Sequence, residues 1–360
     1  MLKHFKQLDW VLIICAFLLV IIGLVSIYSS SSGREDFFNF QKQLIFFGIG
    51  IFMMFFFSFF DWRIFKENGY LILIIYFVCL IGLIGLFFLA PEIRGVQKWY
   101  KIGPLSIDPV EFMKIILVVL LAKYFSMRHV EMYRIKHIVF SGFYVLLPVS
   151  LVFFQPDFGS VIILAALWIG MLIASGIKLR HFLILVLCGI VILTLCWMFL
   201  IKDYQKERVI SFLFPADPLS AGWSQNQAKI AIGSGGILGQ GILNGSQARY
   251  GFLPEPQTDF IFAAIAEETG LIGVFSLLLI YLLLIVRIFK IALMSQNNFS
   301  RLFCIGLVVI IVSQVFVHIG MNLGILPIIG IYLPLISYGG SGLIAILAAL
   351  GVVQSIKNNS

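Results

Sequence analysis

Along most of this chain the apolar positions do not alternate with polar ones; they run on without a break. Apolar stretches recur at roughly 10–28, 44–60, 70–89, 109–125, 138–154, 159–176, 181–200, 260–290, 301–321 and 336–355. A helix packed on a soluble core would show apolar residues every third or fourth position, and a barrel strand would alternate over about ten residues. Neither period is present. Runs of this length satisfy their backbone in lipid only as helices. The pattern therefore predicts an all-α polytopic membrane protein of about ten transmembrane helices. The first run follows Lys3 and Lys6 and is too long for a signal-peptide core, so it reads as an uncleaved anchor. The eighth, Phe260 to Lys290, would make about 46 Å of helix against about 30 Å of hydrocarbon, which predicts tilt or protrusion.

The polar interruptions are short except one. Residues 201–259 form a long extracytoplasmic loop between helices 7 and 8, inside a single integral membrane domain spanning 1–360. Eight glycines fall between Gly222 and Gly251, and the stretch 224–233 reads as a short helix lying on the membrane. A second irregular stretch, 324–334, is apolar yet holds Gly324, Pro327, Gly330 and Pro334. Irregular backbone at membrane depth is tolerated where protein covers it or where it lines a cavity, so this segment is expected to line one.

Composition closes off other classes. Apolar residues make up 61% and charged residues 12%, against about 45–50% and about 25% in soluble domains. A soluble globular enzyme and a disordered chain are both excluded. The net charge of +8 does not point to nucleic acid, because Lys and Arg sit in short caps between apolar runs. With both termini cytoplasmic, fourteen basic residues fall inside and ten outside, five of the ten in the long loop. Because long loops weigh little in this bias, the count favours both termini on the cytoplasmic side. The five cysteines lie within apolar runs and read as small buried side chains.

Candidate chemistry begins with charges that apolar surroundings make expensive. Glu111 and Lys114 are three residues apart on one helix face and neutralise each other. Asp108-Pro109-Val110-Glu111 also reads as a capping box. Asp157, in the turn Gln155-Pro156-Asp157, complements a helix start or meets a substrate head group. In Leu253-Pro254-Glu255-Pro256-Gln257-Thr258-Asp259, two prolines stiffen the approach to span eight, Thr258 is placed to cap it, and Asp259 stands at its outer mouth. Glu267 and Glu268 follow inside the span, as hydrogen-bonding partners between helices. The segment 233–241, GSGGILGQG, lacks the Lys-Ser/Thr ending of a P-loop. Its glycines permit turns and close helix contact, or its amides help hold a pyrophosphate. His318 reads as a hydrogen-bonded interior histidine.

These motifs together resemble the SEDS family (shape, elongation, division and sporulation), which includes RodA, FtsW and SpoVE. The resemblance runs nearly end to end. It rests on Gln155 to Gly159, on Leu253-Pro254-Glu255 with Thr258 to Ala263 and Glu267-Glu268, and on Pro334 to Ser341. The stretch Gln227 to Gly236 is similar to the RodA branch, which serves cell elongation. Three positions depart from the family pattern: Val110 and His318 replace a usual Ser and Asn, and Gly342 stands where Ser or Ala is usual.

The resemblance implies a peptidoglycan glycosyltransferase that polymerises lipid II on the outer face of the cytoplasmic membrane. The donor is a glycan on undecaprenyl pyrophosphate, and the partner is a class B penicillin-binding protein. It places the essential acid at Asp259, to act as general base, with Glu111, Lys114, Glu267 and Glu268 in support. Arg208 or Lys229 would clamp the pyrophosphate, with a divalent cation (Mg or Mn) as the alternative clamp and no other cofactor. Asp157, Glu255, Thr258, Ser337 and Ser341 complete the expected substrate contacts. Two other classes fit the same helices: a lipid II flippase, and a non-catalytic scaffold for the synthase. A flippase needs acids along a path through the membrane, whereas these cluster toward one side.

Overall fold

The computed structural model describes residues 7–92, 96–103, 105–128, 135–199 and 222–358, together with Lys206, Ile210 and Phe212. In chain order the elements are α1 (Trp10–Arg34), α2 (Phe38–Phe59), the short α3 (Arg63–Glu67), α4 (Gly69–Leu89), the strands β1 (Tyr100–Ile102) and β2 (Leu105–Ile107), α5 (Pro109–Arg128), α6 (Ile135–Phe154), α7 (Phe158–Ala174), α8 (Leu179–Phe199), α9 (Trp223–Ser234), α10 (Ser246–Arg249), α11 (Ile261–Met294), α12 (Asn298–Leu323) and α13 (Gly340–Asn358).

Eight of these helices are long and apolar enough to cross a membrane. Two more complete the expected ten. One is α7, apolar but 17 residues long. The other is α5, 20 residues long and interrupted by Glu111, Lys114 and Lys123. The two strands pair antiparallel, Tyr100 opposite Ile107, in a small hairpin turned at Gly103 (φ 59°). It is the one sheet among the described residues, and the apolar runs gave no sign of it.

The bundle is built around α13, which is buried almost all round. Its small residues let other backbones approach, as helices in lipid require. A Cβ at Gly351 would lie 2.3 Å from the Met54 carbonyl oxygen of α2, and one at Gly340 would meet the Phe46 ring at 2.4 Å. At one end of the bundle the termini are tied together. Asp9 caps α1 through Leu12 N–H (3.2 Å) and pairs with Arg287 Nε of α11 (2.6 Å). Gln354 of α13 brackets the Asp9 backbone, accepting its N–H (2.8 Å) and donating to its carbonyl (3.0 Å). The other end carries the hairpin, α9, α10 and the irregular segment before α13.

At that loop-rich end α11 is not continuous: it breaks at Gly270 (φ 64°, ψ −164°). The glycine segment enters the break and takes up the freed backbone groups. Gln240 and Gly241 N–H donate to the carbonyls of Glu267 (2.9 Å) and Glu268 (3.0 Å); Leu271 and Ile272 N–H donate to those of Gly236 (3.0 Å) and Ile237 (3.2 Å). A Cβ on Gly239 would stand 2.1 Å from the Glu268 carbonyl oxygen, so only glycine passes. Helix α9 packs Ala228 and Ala231 against Ala263 and Ala264 of α11. The short helix expected here is thus seated on protein through one face.

Candidate functional site

The site forms where the hairpin, the start of α5, the turn before α11 and the segment before α13 meet. The chain between α4 and α5 brings Lys98 inward. Its Nζ pairs with Asp157 Oδ2 at 2.8 Å and lies 3.4 Å from Asp108 Oδ2. Asp157 caps α7, accepting the Ser160 N–H (3.2 Å) and hydroxyl (2.7 Å). Burial works against its ionisation, but the Lys98 ammonium and the Ser160 hydroxyl hold its carboxyl below the usual carboxylate range. Burial would strip the proton from Lys98, yet Asp157, Asp108 and Glu111 hold that proton firmly. Asp108 feels the reverse balance: burial pushes it up to about 7, against the pull of Lys98 and with Glu111 and Asp157 adding to the rise.

The start of α5 is half of the expected capping box. Asp108 Oδ1 accepts the Val110 N–H (3.0 Å), as an N-cap should. The reciprocal bond is absent, because the Asp108 N–H donates to Ser341 Oγ of α13 (2.8 Å). That leaves Glu111 to bind Lys114 Nζ (2.7 Å) and the Tyr332 hydroxyl. All three side chains are buried or partly buried.

Asp259 is carried by a turn that four parts of the fold hold. Gln257 accepts from Asn39 Nδ2 (2.8 Å) and donates to Ser31 Oγ (3.1 Å), while its carbonyl accepts the Tyr338 N–H (2.8 Å). Ser337 Oγ donates to the Thr258 carbonyl (2.9 Å) and accepts the Leu333 N–H (2.8 Å). Asn322 Nδ2 donates to the Asp259 carbonyl (2.9 Å), and its Oδ1 accepts the Ala263 N–H (3.2 Å). Thr258 does not cap α11. Its hydroxyl donates to Glu255 (3.3 Å), and the cap position falls on Phe260.

Between these walls is a cavity of about 200 Å³, lined among others by Lys98, Asp108, Glu111, Thr258, Asp259, Tyr332 and Ser341. The residues singled out from the sequence thus divide. Asp259, Glu111, Thr258 and Ser341 line one cavity; Lys114 and Asp157 adjoin it through Glu111 and Lys98. Ser337 and Glu255 support the turn behind it. Lys229 stands apart on α9, exposed, its side chain beside Gly324. Arg208 lies outside the described residues.

Glu267 and Glu268 belong to the broken helix. Glu267 Oε1 accepts the Ser246 hydroxyl (3.1 Å) and Gln247 N–H (2.7 Å), and its Oε2 the Ala248 N–H (3.2 Å), so it serves the start of α10. Glu268 takes the Ser29 hydroxyl of α1. The glycine segment next to them spends the amides of Gln240 and Gly241 on α11, so those amides do not face a pyrophosphate. Sequence reasoning passed over Lys98 and Tyr332. Lys98 counted only as one more basic loop residue, although its place in an apolar approach to Asp108 was a usable signal.

A bundle of long apolar helices with a charged cavity at its loop-rich end is a multi-pass membrane protein. The family model described as cell cycle protein, FtsW/RodA/SpoVE, matches residues 9–360, and the chain belongs to that family. Among curated relatives, the peptidoglycan glycosyltransferase MrdB of Escherichia coli K12 is 41% identical over 286 residues, covering 79% of this chain and 77% of that protein. Among solved structures, a chain of a peptidoglycan synthase complex, studied for the coordination of polymerization and crosslinking, superposes with a TM-score of 0.83 at 31% identity, covering 98% of each chain. The rod shape determining protein RodA of Thermus thermophilus superposes with a TM-score of 0.73 at 28% identity, covering 98% of this chain and 97% of that one.

Proposed function

We propose that this protein is a peptidoglycan glycosyltransferase that polymerises lipid II, with Asp259 as its general base. The observation that carries the reading is the cavity itself: it sets Asp259 beside buried, ion-paired groups in a family whose relatives bear that activity by name. The acceptor sugar hydroxyl attacks the anomeric carbon of the lipid-linked glycan as Asp259 takes its proton. The bond to the pyrophosphate breaks, and undecaprenyl pyrophosphate leaves as an anion that needs no acid. One carboxylate base is therefore enough, where a glycosidase generally needs two.

The cavity's own charges argue for a division of labour. Asp108, Glu111 and Asp259 face Lys98 and Lys114, so the chamber suits a hydroxyl and a base better than a pyrophosphate. The pyrophosphate is then left to a separate clamp, Lys229 or Arg208. A divalent cation (Mg or Mn) is the alternative clamp. In this reading the loop-rich end faces outside, in keeping with the bias of the basic caps, and the chain serves elongation in the bacterial cytoplasmic membrane beside a class B penicillin-binding protein. A flippase fits less well, because the ionisable groups crowd one end instead of lining a path through the bundle.

The test is polymerisation of lipid II by purified protein, with its penicillin-binding partner blocked in transpeptidation. Wild type should make polymer and a folded Asp259→Asn variant essentially none. A variant that polymerises at the normal rate removes the assignment of the base.

A further inference from the structure

Tyr332 lies in the irregular segment between α12 and α13, the segment that lines the cavity. Its phenol donates to Glu111 Oε2 at 2.5 Å. Lys114 Nζ takes Glu111 Oε1 at 2.7 Å and also lies 5.3 Å from the centre of the Tyr332 ring. One carboxylate is thus gripped on both oxygens by two groups that touch each other. The backbone next to Tyr332 is fixed as well: the Ile331 carbonyl, which can only accept, binds His318 Nδ1 at 2.7 Å, so Nδ1 carries the proton.

The ring fits here because residue 342 has no side chain. A Cβ on Gly342 would stand 2.6 Å from both Tyr332 Cζ and Oη, and 2.9 Å from Cε2. That is ring body and hydroxyl, held between Glu111 and Lys114, not the free end of a flexible chain. Tyr332, Glu111 and Gly342 all line the cavity with Asp259.

We propose that Tyr332 is a positioning residue for lipid II polymerisation, fixing Glu111, with its partner Lys114, in the wall that Glu111 shares with Asp259, and that Gly342 is the vacancy that admits it. The proposal rests on the glycosyltransferase reading above. A glutamate side chain with several rotamers is reduced to one, and the charge beside the base keeps one position throughout the reaction.

The experiment is a substitution cycle on the full chain with its partner, reading kcat and KM for lipid II together with the melting midpoint. Tyr332→Phe keeps the ring and removes the hydroxyl. It should lower kcat about tenfold while KM stays within about twofold, since the hydroxyl points at Glu111 and not at substrate. Gly342→Ala should cost about tenfold in kcat when Tyr332 is present, and less than about twofold in the Tyr332→Ala background, where the three nearest atoms it would meet are gone. The melting midpoint should show the same dependence. Tyr332→Phe at wild-type kcat overturns the proposal, and so does a Gly342→Ala penalty that is equal in both backgrounds. The two readings separate cleanly. A wild type that makes no polymer defeats the glycosyltransferase reading and this proposal with it. An active wild type matched by its variants defeats this proposal alone.

Discussion

Glu111 and Glu267 are both buried carboxylates in the first two turns of apolar helices at the same end of the bundle, yet the fold treats them differently. Glu111 is held by a cation and a phenol and lines a cavity. Glu267 is held by a hydroxyl and two backbone amides and closes the start of α10. The first arrangement keeps a charge in place where a ligand can feel it. The second consumes the charge in joining one piece of backbone to another. An acid in an apolar run is therefore not enough to mark a reactive site; the partner decides.

The sharpest way to break this contrast is at Lys98. It neutralises Asp157 and Asp108 together, so Lys98→Ala strands a buried carboxylate and should cost about 3–5 kcal/mol of stability. Lys98→Arg should recover part of that. Thermal unfolding of the purified protein reads both. A loss below about 1 kcal/mol for the alanine variant would mean the pairs are not what holds this wall.

The contrast itself is tested by matched substitutions. Glu267→Gln turns one oxygen into an amide facing N–H donors and should cost about 1–3 kcal/mol in stability. Polymerisation per folded molecule should stay at the wild-type level. Glu111→Gln should lower that activity, and equal effects on activity at the two sites would erase the distinction drawn here.

A further expected effect is one of pH. Asp108 titrates near 7 in the folded protein, above its ordinary 3.8. Between about pH 4 and pH 7 the folded state holds a proton that the unfolded chain has released, so this group's contribution to stability falls as pH rises through that window. Asp108→Asn removes the dependence and keeps the oxygen that accepts from Val110. Its melting midpoint relative to wild type should therefore improve between about pH 5 and pH 8. A constant difference would contradict the raised titration.

Much of the architecture was readable because membrane helices announce themselves locally. The limits of α4, Gly69–Leu89, fall within a residue of where the apolar run places them. Glu111 was found for a related reason, as a charge costly in its surroundings, whereas Asp259 stood out at the mouth of an apolar run and Ser341 came only with the family motif. What escaped were residues whose meaning comes from elsewhere in the chain. Lys98 matters through Asp157, on a different helix start. Tyr332 matters through Glu111, and Gly342 through Tyr332. The break at Gly270 escaped for a further reason. A lone glycine in a long apolar helix is ordinarily tolerated, and only the glycine segment arriving from α9 turns it into a joint.

One feature of the site bears on when in its life the protein becomes competent. The bond from Asp108 N–H to Ser341 Oγ, and that from Tyr338 N–H to the Gln257 carbonyl, join the middle of the chain to its last helix. Helices can enter the membrane one after another as they are made, but these bonds cannot form until the segment before α13 has been synthesised and folded back. A ribosome-bound chain that already contains Asp259, Glu111 and Lys98 thus still lacks the closing wall of the chamber. A chain truncated before Ser337 should therefore be left without that wall, however well its earlier helices insert.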